Sequence, residues 1–176
     1  MDTVQDVPVL ILSGPVGVGK TSVALEIVDL LEGKGPPLAV VDFDALTWCF
    51  PRPRDDRFHQ LLGLRNLAAL WAGYRAAGAE RLVIARIVTS REELDGYREA
   101  VPGASITVVR LKASADTLRQ RVERREIGLA REQNLRRTLE VAAELEQAGA
   151  EDHVVDTDAR PVTEVAQAVL EAAGWW

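Results

Sequence analysis

The sequence contains a single cysteine, Cys49, and only two histidines, His59 and His153. One cysteine can form neither an intrachain disulfide nor a cysteine-ligated metal cluster, and this usage fits a reducing compartment. The two histidines are far from each other in the sequence, and we interpret both as non-ligands. The expected location is therefore the cytoplasm.

Acidic residues outnumber basic ones, 27 to 21, and long apolar runs are scarce. The net charge of −6 argues against a nucleic-acid partner or an attachment to a membrane surface. No apolar run approaches the length of a membrane span, and the N-terminal one is too short and too acidic in its flank for a signal peptide. The length of 176 residues predicts one domain, residues 1–176, present as a monomer or homodimer.

Lysine is rare as well, with three in the chain, and one of them ends a glycine-rich run. Residues 14–21, Gly-Pro-Val-Gly-Val-Gly-Lys-Thr, fit the phosphate-binding P-loop pattern G-x-x-x-x-G-K-[ST]. A strand-like run precedes them and a helical pattern follows, so backbone N–H groups and a helix dipole should converge on a polyphosphate. The alternative is a chance match in a glycine turn. The expected phosphate-binding residues are Gly14, Pro15, Val16, Gly17, Val18, Gly19, Lys20, Thr21 and Ser22.

The P-loop pattern also assigns individual roles. Lys20 is expected to reach the β- and γ-phosphates of ATP and to be catalytic, and the Thr21 hydroxyl is expected to bind Mg²⁺.

Apolar runs alternate with helical patterns along the whole chain, which predicts a parallel α/β sheet covered on both faces. The expected strands are 7–13, 38–42, 81–85, 105–111 and 153–156. The expected helices are about 20–33, 58–77, 90–100, 114–126, 131–148 and 161–172. The apolar face expected on the second helix comprises Leu61, Leu64, Leu67, Ala68, Leu70, Trp71 and Tyr74.

Two acidic residues, Asp42 and Asp44, end the second strand. Strand alternation would place both carboxylates on one side, at the strand ends where open α/β sheets bind ligands. Asp42 follows an apolar strand, as a magnesium-binding carboxylate does. Its alternative is to cap a short helix. The third strand ends in Arg86 without an acid, which favours Asp42 as the metal ligand; Arg86 is either a surface cation or a substrate contact.

The chain resembles the P-loop kinases of small molecules, which include nucleoside monophosphate, shikimate and gluconate kinases and chloramphenicol phosphotransferase. The resemblance implies a three-layer α/β/α P-loop NTPase fold with a five-stranded parallel sheet. It also implies a substrate-binding segment at about 44–66 and an arginine-rich lid at about 124–132. In shikimate-kinase-like proteins a D-x-D here serves metal and acceptor, which implies that Asp42 holds Mg²⁺ and that Asp44 is the base for the acceptor hydroxyl.

The candidate run for the lid, residues 119–131, begins before the segment 124–132 and is rich in arginine, as the stabilisation of a transferring phosphoryl group requires. Arg121 and Arg125 lie one helical turn apart and are the catalytic candidates, and Arg124 is nearly as well placed for nucleotide phosphate. Arg131 is a fourth candidate. The alternative is a solvated helix of mixed charge, because glutamates interleave.

The acceptor is expected to lie between the segment 44–66 and the P-loop. Trp48 and Phe50 would cover a flat or apolar face of the acceptor, or else pack ordinarily. The polar candidates for acceptor contact are Asp44, Arg52, Arg65, Asn66 and Arg86. The loop after the fifth strand is expected beside the adenine, with Arg160 as a nucleotide contact.

These features favour an ATP-dependent enzyme that phosphorylates a hydroxyl group of a small molecule. A nucleotide-binding regulatory NTPase without an acceptor is the first alternative, although a GTPase is disfavoured by the absence of an [NT]-K-x-D motif. A polynucleotide 5′-hydroxyl kinase is the second, and the acidic balance disfavours it.

Overall fold

A computed structural model describes residues 6–51, 55–56, 59–125 and 130–176. In this part of the chain, five strands form one parallel sheet in the order β2-β3-β1-β4-β5. The strands are β1 (Val7–Ser13), β2 (Leu38–Asp42), β3 (Arg81–Ala85), β4 (Ala104–Lys112) and β5 (His153–Asp156). The helices are α1 (Lys20–Leu31), α2 (Gln60–Ala76), α3 (Glu93–Ala100), α4 (Ala115–Arg125), α5 (Ala130–Ala148) and α6 (Val162–Ala172). The predicted α/β fold with a five-stranded parallel sheet is confirmed.

The apolar strands are buried because helices cover both faces of the sheet. Alternate residues of β1 enter different cores: Val9 and Ile11 pack with α2 and α3, and Leu10 and Leu12 pack with α1 and α6. All four are at most 1% exposed. The continuous apolar sequence of β1 therefore reflects a central strand with a core on each side.

The apolar face predicted for α2 is wrong at two positions. Leu61 is 62% exposed and Leu70 is 37% exposed. The buried stripe of the helix consists of Gly63, Leu67 and Trp71, which recur every fourth residue. Leu61 lies about 200° around the helix from Gly63, because each residue turns it by about 100°. It therefore points away from the sheet.

The strand order brings the chemistry-bearing loops to one edge of the sheet. Because all strands are parallel, the segments that follow their carboxyl ends meet at the same edge. The loop after β1 lies between the ends of β3 and β4, since β1 is their shared neighbour. Among the described helices, none is long and apolar enough to cross a membrane.

Candidate functional site

The P-loop joins β1 to α1 through glycines with left-handed backbone angles. Gly14 has φ 136°, and a Cβ there would lie 2.6 Å from the carbonyl oxygen of Leu111. Gly19 has φ 108° and caps the N-terminus of α1. The first N–H groups of α1 have no acceptor within the helix, so they can bind an anion at this end.

Lys20 and Thr21 begin α1 and turn towards the glycine loop and β2. The Lys20 Nζ donates to the carbonyl oxygens of Gly14 at 2.8 Å and Pro15 at 3.0 Å. The Thr21 hydroxyl donates to Asp42 Oδ2 at 3.0 Å. This last bond joins the P-loop to the end of β2. It gathers a hydroxyl and a carboxylate, the oxygen ligands that Mg²⁺ takes together with substrate phosphates, so the residues present fit a magnesium ion.

Asp42 and Asp44 face the same cleft, but for a different reason from the one predicted. Strand β2 ends at Asp42, and a 3₁₀ helix follows over Phe43–Thr47. Asp42 caps this helix, because its Oδ1 accepts a hydrogen bond from the Asp44 backbone N–H at 3.2 Å. Capping and the contact with Thr21 use different oxygens of Asp42, so capping leaves Oδ2 beside Thr21, and the role of Asp42 as a magnesium ligand stays a prediction.

Arg86 is not a surface cation. Its side chain is 16% exposed and forms an ion pair with Asp44. It also donates to Gln60 Oε1 at 3.0 Å, and its guanidinium lies 4.9 Å from the centre of the Phe43 ring. The arginine that follows β3 thus meets the aspartate that follows β2 across the neighbouring strand ends.

A cleft of about 810 Å³ connects these groups. Its floor is the P-loop and α1, and its two walls are the 3₁₀ helix after β2 and the loop after β5. Its described lining comprises Val16, Gly17, Val18, Gly19, Lys20, Thr21, Ser22, Val23, Asp42, Asp44, Ala45, Thr47, Trp48, Arg86, Arg121, Thr157, Arg160, Val162 and Val165.

Arg121 and Arg160 form the wall on the β5 side. Arg121 donates to the carbonyl oxygen of Val18 at 3.0 Å and to Thr157, at 3.0 Å to the hydroxyl and 3.1 Å to the carbonyl. It therefore connects α4 to the P-loop and to the loop after β5. Arg160 is held by the carbonyl oxygens of Asp156 at 3.2 Å and Glu164 at 3.0 Å. Both cations lie on the opposite side of the P-loop from Asp44.

Comparison with solved structures places this site in a known architecture. No family model and no curated protein matches the sequence. A gluconokinase from Sinorhizobium meliloti 1021 is 25% identical with a TM-score of 0.62, covering 95% of this chain and 91% of its own. The Deinococcus radiodurans tunicamycin resistance protein is 19% identical with a TM-score of 0.68, covering 97% of both chains.

A shikimate kinase from Acinetobacter baumannii, in complex with shikimate, is 21% identical with a TM-score of 0.56, covering 94% of this chain and 92% of its own. These neighbours confirm the resemblance found in the sequence. The chain has the fold of the P-loop small-molecule kinases.

Within this kinase fold, the predicted acceptor residues do not all reach the cleft. Trp48 lines the cleft and is 75% exposed. Phe50 is 73% exposed and is not among the lining residues. Arg65 is exposed on α2 and does not line the cleft. Arg52 lies outside the described residues, so its assignment stays a prediction.

Asn66 and His59 hold the 3₁₀ helix after β2, and neither is among the residues that line the cleft. Asn66 Nδ2 donates to the carbonyl oxygen of Leu46 at 2.8 Å. His59 is 2% exposed, and its Nδ1 lies 2.9 Å from the carbonyl oxygen of Thr47. Both side chains thus tie α2 and the residue before it to the 3₁₀ helix that carries Asp44.

Of the predicted lid arginines, Arg121 reaches the cleft. Arg124 is exposed and is not among the lining residues. The side chains of Arg125 and Arg131, and residues 126–129 of the predicted lid, lie outside the described part of the chain. The lid therefore stays a prediction.

Sequence reasoning missed several residues of the site. Thr157 is 2% exposed and holds Arg121, and Gln60 holds Arg86. Tyr97 on α3 is fully buried, and its hydroxyl has no hydrogen-bond partner of normal geometry among the described residues. Burial raises the pKa of Tyr97 to about 12, although the nearby Arg86 charge opposes this shift. No local motif marks any of the three, because their roles depend on the packing of distant segments.

Asp158, in the loop after β5, helps to hold α4 in place. The Asp158 carboxylate accepts hydrogen bonds from the Ser114 backbone N–H at 2.9 Å and 3.1 Å, just before α4. Desolvation opposes ionisation, but hydrogen bonds from Thr117 and Ser114 and the Arg121 charge outweigh it and lower the pKa of Asp158. The contact fixes the N-terminus of the helix that presents Arg121.

Proposed function

We propose that this protein is an ATP-dependent phosphotransferase that moves the γ-phosphoryl group to a hydroxyl group of a small molecule. The observation that carries the proposal is the Thr21–Asp42 hydrogen bond of 3.0 Å. It connects a P-loop to a strand end, and Asp44 stands two residues further on in the same cleft. The solved neighbours named for their activity are kinases of small molecules, which supports a phosphotransferase at the general level.

In this proposal each residue of the cleft has a task in the reaction. Lys20 has its ammonium group at the glycine loop, where it can turn from the carbonyl oxygens of Gly14 and Pro15 to the β- and γ-phosphates. Arg121 and Arg160 line the β5 side and hold the nucleotide. Mg²⁺, held by Thr21 and Asp42, would neutralise charge on the β- and γ-phosphates.

Asp44 serves the acceptor in this proposal. Its side chain is 56% exposed and opens into the cleft. The acceptor oxygen forms a bond to the γ-phosphorus, the bond from that phosphorus to the bridging oxygen of ADP breaks, and the hydroxyl proton passes to the Asp44 carboxylate. The acceptor must approach opposite the leaving ADP, which places it between Trp48, Asp44 and the P-loop.

A screen for acceptor-dependent ADP release tests the proposal. Purified protein with ATP and Mg²⁺ is offered hydroxylated metabolites and antibiotics one at a time. We expect at least one to raise ADP release well above the rate with water alone. Lys20→Ala should abolish this release, and Asp44→Asn should lower it by about 10²- to 10⁴-fold, the usual contribution of a general base.

The matched control is Asp95→Asn. Asp95 is a 76% exposed carboxylate on α3 that pairs with Arg98 at 2.8 Å, so its change removes the same charge far from the cleft. ATP hydrolysis that no acceptor stimulates, and that Asp44→Asn leaves unchanged, would show a regulatory NTPase instead of a kinase.

A further inference from the structure

Arg86 is surrounded on three sides by groups of the protein. One terminal nitrogen pairs with Asp44, the other donates to Gln60 Oε1 at 3.0 Å, and the guanidinium lies 4.9 Å from the centre of the Phe43 ring. The main chain of Gln60 is held at the start of α2, because its backbone N–H donates to Asp56 Oδ1 at 2.7 Å. The arginine is thus fixed in a position from which it orients one oxygen of the Asp44 carboxylate.

The positive charge of Arg86 is already matched by Asp44. An acceptor carboxylate or phosphate that bound to Arg86 would compete with the ion pair. It would also come to lie beside the Asp44 carboxylate and the γ-phosphate of ATP, and like charges at contact distance repel strongly away from bulk water. A hydroxyl group avoids this repulsion, because it can donate to Asp44 and accept from an unused N–H of Arg86.

The other cations of the described cleft lining belong to the nucleotide side. Lys20 donates to the P-loop carbonyl oxygens, Arg121 to Val18 and Thr157, and Arg160 to Asp156 and Glu164. Among the described lining residues, Arg86 is therefore the one cation at the acceptor end. Of the described residues, Trp48 with its exposed ring and Ala45 with its small side chain also line this wall.

We propose that Arg86 positions Asp44 and cancels its charge, so that the acceptor presents an uncharged, hydroxyl-bearing group at this end of the cleft. This inference rests on the proposed function, because it assigns the acceptor end through Asp44. It also separates this chain from enzymes whose acceptors carry a carboxylate beside the reacting hydroxyl. Arg86 acts through Asp44 and is a positioning residue.

The first test measures anion binding and needs no acceptor. Sulfate is titrated calorimetrically into protein whose P-loop is saturated with Mg²⁺ and a non-hydrolysable ATP analogue. We expect Asp44→Asn, which releases Arg86 from its ion pair, to bind sulfate at least tenfold more tightly than the wild type. The double variant Asp44→Asn/Arg86→Gln should lose that gain.

The matched control is Asp116→Asn, which removes the same charge from an 84% exposed carboxylate that pairs with Arg119 on α4 at 3.2 Å. It should leave sulfate binding unchanged. Equal sulfate affinity in Asp44→Asn and the wild type would overturn the inference, as would tight sulfate binding by the wild type that Arg86→Gln abolishes. A wild-type protein that fails to bind the ATP analogue would refute the proposed function instead.

The second test uses matched acceptors. Neutral polyols and esters are compared with the acids that carry a free carboxylate in the same skeleton, glucitol with gluconate and methyl shikimate with shikimate among them. We expect the neutral member of each accepted pair to have the higher kcat/KM, by tenfold or more. A preference for the acid that Arg86→Gln removes would overturn the inference while leaving the kinase assignment intact.

Discussion

Gly63 offers a sharp test of how α2 holds the 3₁₀ helix that carries Asp44. A Cβ at this position would lie 2.6 Å and 2.7 Å from Cζ and Cε1 of Phe43 and 3.1 Å from Cγ2 of Thr47. Phe43 cannot easily give way, because its ring is fully buried and lies 5.3 Å from that of Tyr97 and 4.9 Å from the Arg86 guanidinium. Gly63→Ala therefore forces a methyl group into a filled space.

Two opposing effects set the change in the free energy of unfolding of Gly63→Ala. Overpacking of a filled core costs about 1–3 kcal/mol, and replacement of a helical glycine by alanine gains about 1 kcal/mol. Gly73 lies on the same helix, and a methyl group added there would meet open space, with no described neighbour within 4 Å. Gly73→Ala thus keeps only the gain. The gain from replacing a helical glycine by alanine is common to both variants. Gly63→Ala should therefore be about 1–3 kcal/mol less stable than Gly73→Ala, which is the cost of overpacking alone.

Urea unfolding followed by far-ultraviolet circular dichroism measures this difference by linear extrapolation. Turnover gives a second measurement, because a displaced Phe43 moves the 3₁₀ helix that carries Asp44. We expect Gly63→Ala to lower acceptor-dependent ADP release more than it lowers nucleotide affinity. If the two alanine variants unfold at the same urea concentration, the tight Gly63–Phe43 contact is not what fixes the 3₁₀ helix.

Four other changes follow from the site. The wild type should lose free energy of unfolding between pH 10 and 12, because the pKa of Tyr97 is raised to about 12 in the folded state and the phenol therefore ionises more readily in the unfolded chain. Tyr97→Phe should abolish this loss, whose slope, measured by urea unfolding at each pH, is about 1.4 kcal/mol per pH unit. Arg121→Ala should weaken nucleotide binding by about tenfold or more through lost charge-assisted hydrogen bonds, measured by calorimetry. Trp48→Ala should raise the acceptor KM by about tenfold with ATP affinity unchanged, and Arg160→Ala should do the opposite; equal effects on both substrates would contradict the assignment of the two walls.

Local pattern in the sequence predicts much of the fold. The P-loop and all five strands are predicted within one residue or so, because glycine spacing and apolar runs are local signals. The prediction for α2 fails at Leu61, since helical spacing alone does not show which of several apolar residues faces a partner. The Asp44–Arg86 pair joins residues 42 positions apart, and nothing in the sequence indicates it beyond their places after neighbouring strands.

The hydrogen bond between His59 Nδ1 and the Thr47 carbonyl oxygen closes the chain from Thr47 to His59 into a loop. Both anchors belong to the buried framework: Thr47 is 5% and His59 2% exposed. A loop closed at fixed anchors tolerates changes of length, since doubling it costs only about 0.6 kcal/mol of closure entropy. We therefore expect the chain between these two anchors to accept insertions and deletions with little loss of stability. Exchanging this segment for that of another protein of the same fold should change the contacts around Trp48, and it should leave Arg86 in place only where an acid is kept at position 56, because the Asp56 carboxylate holds the backbone N–H groups of Gln60 and Leu61.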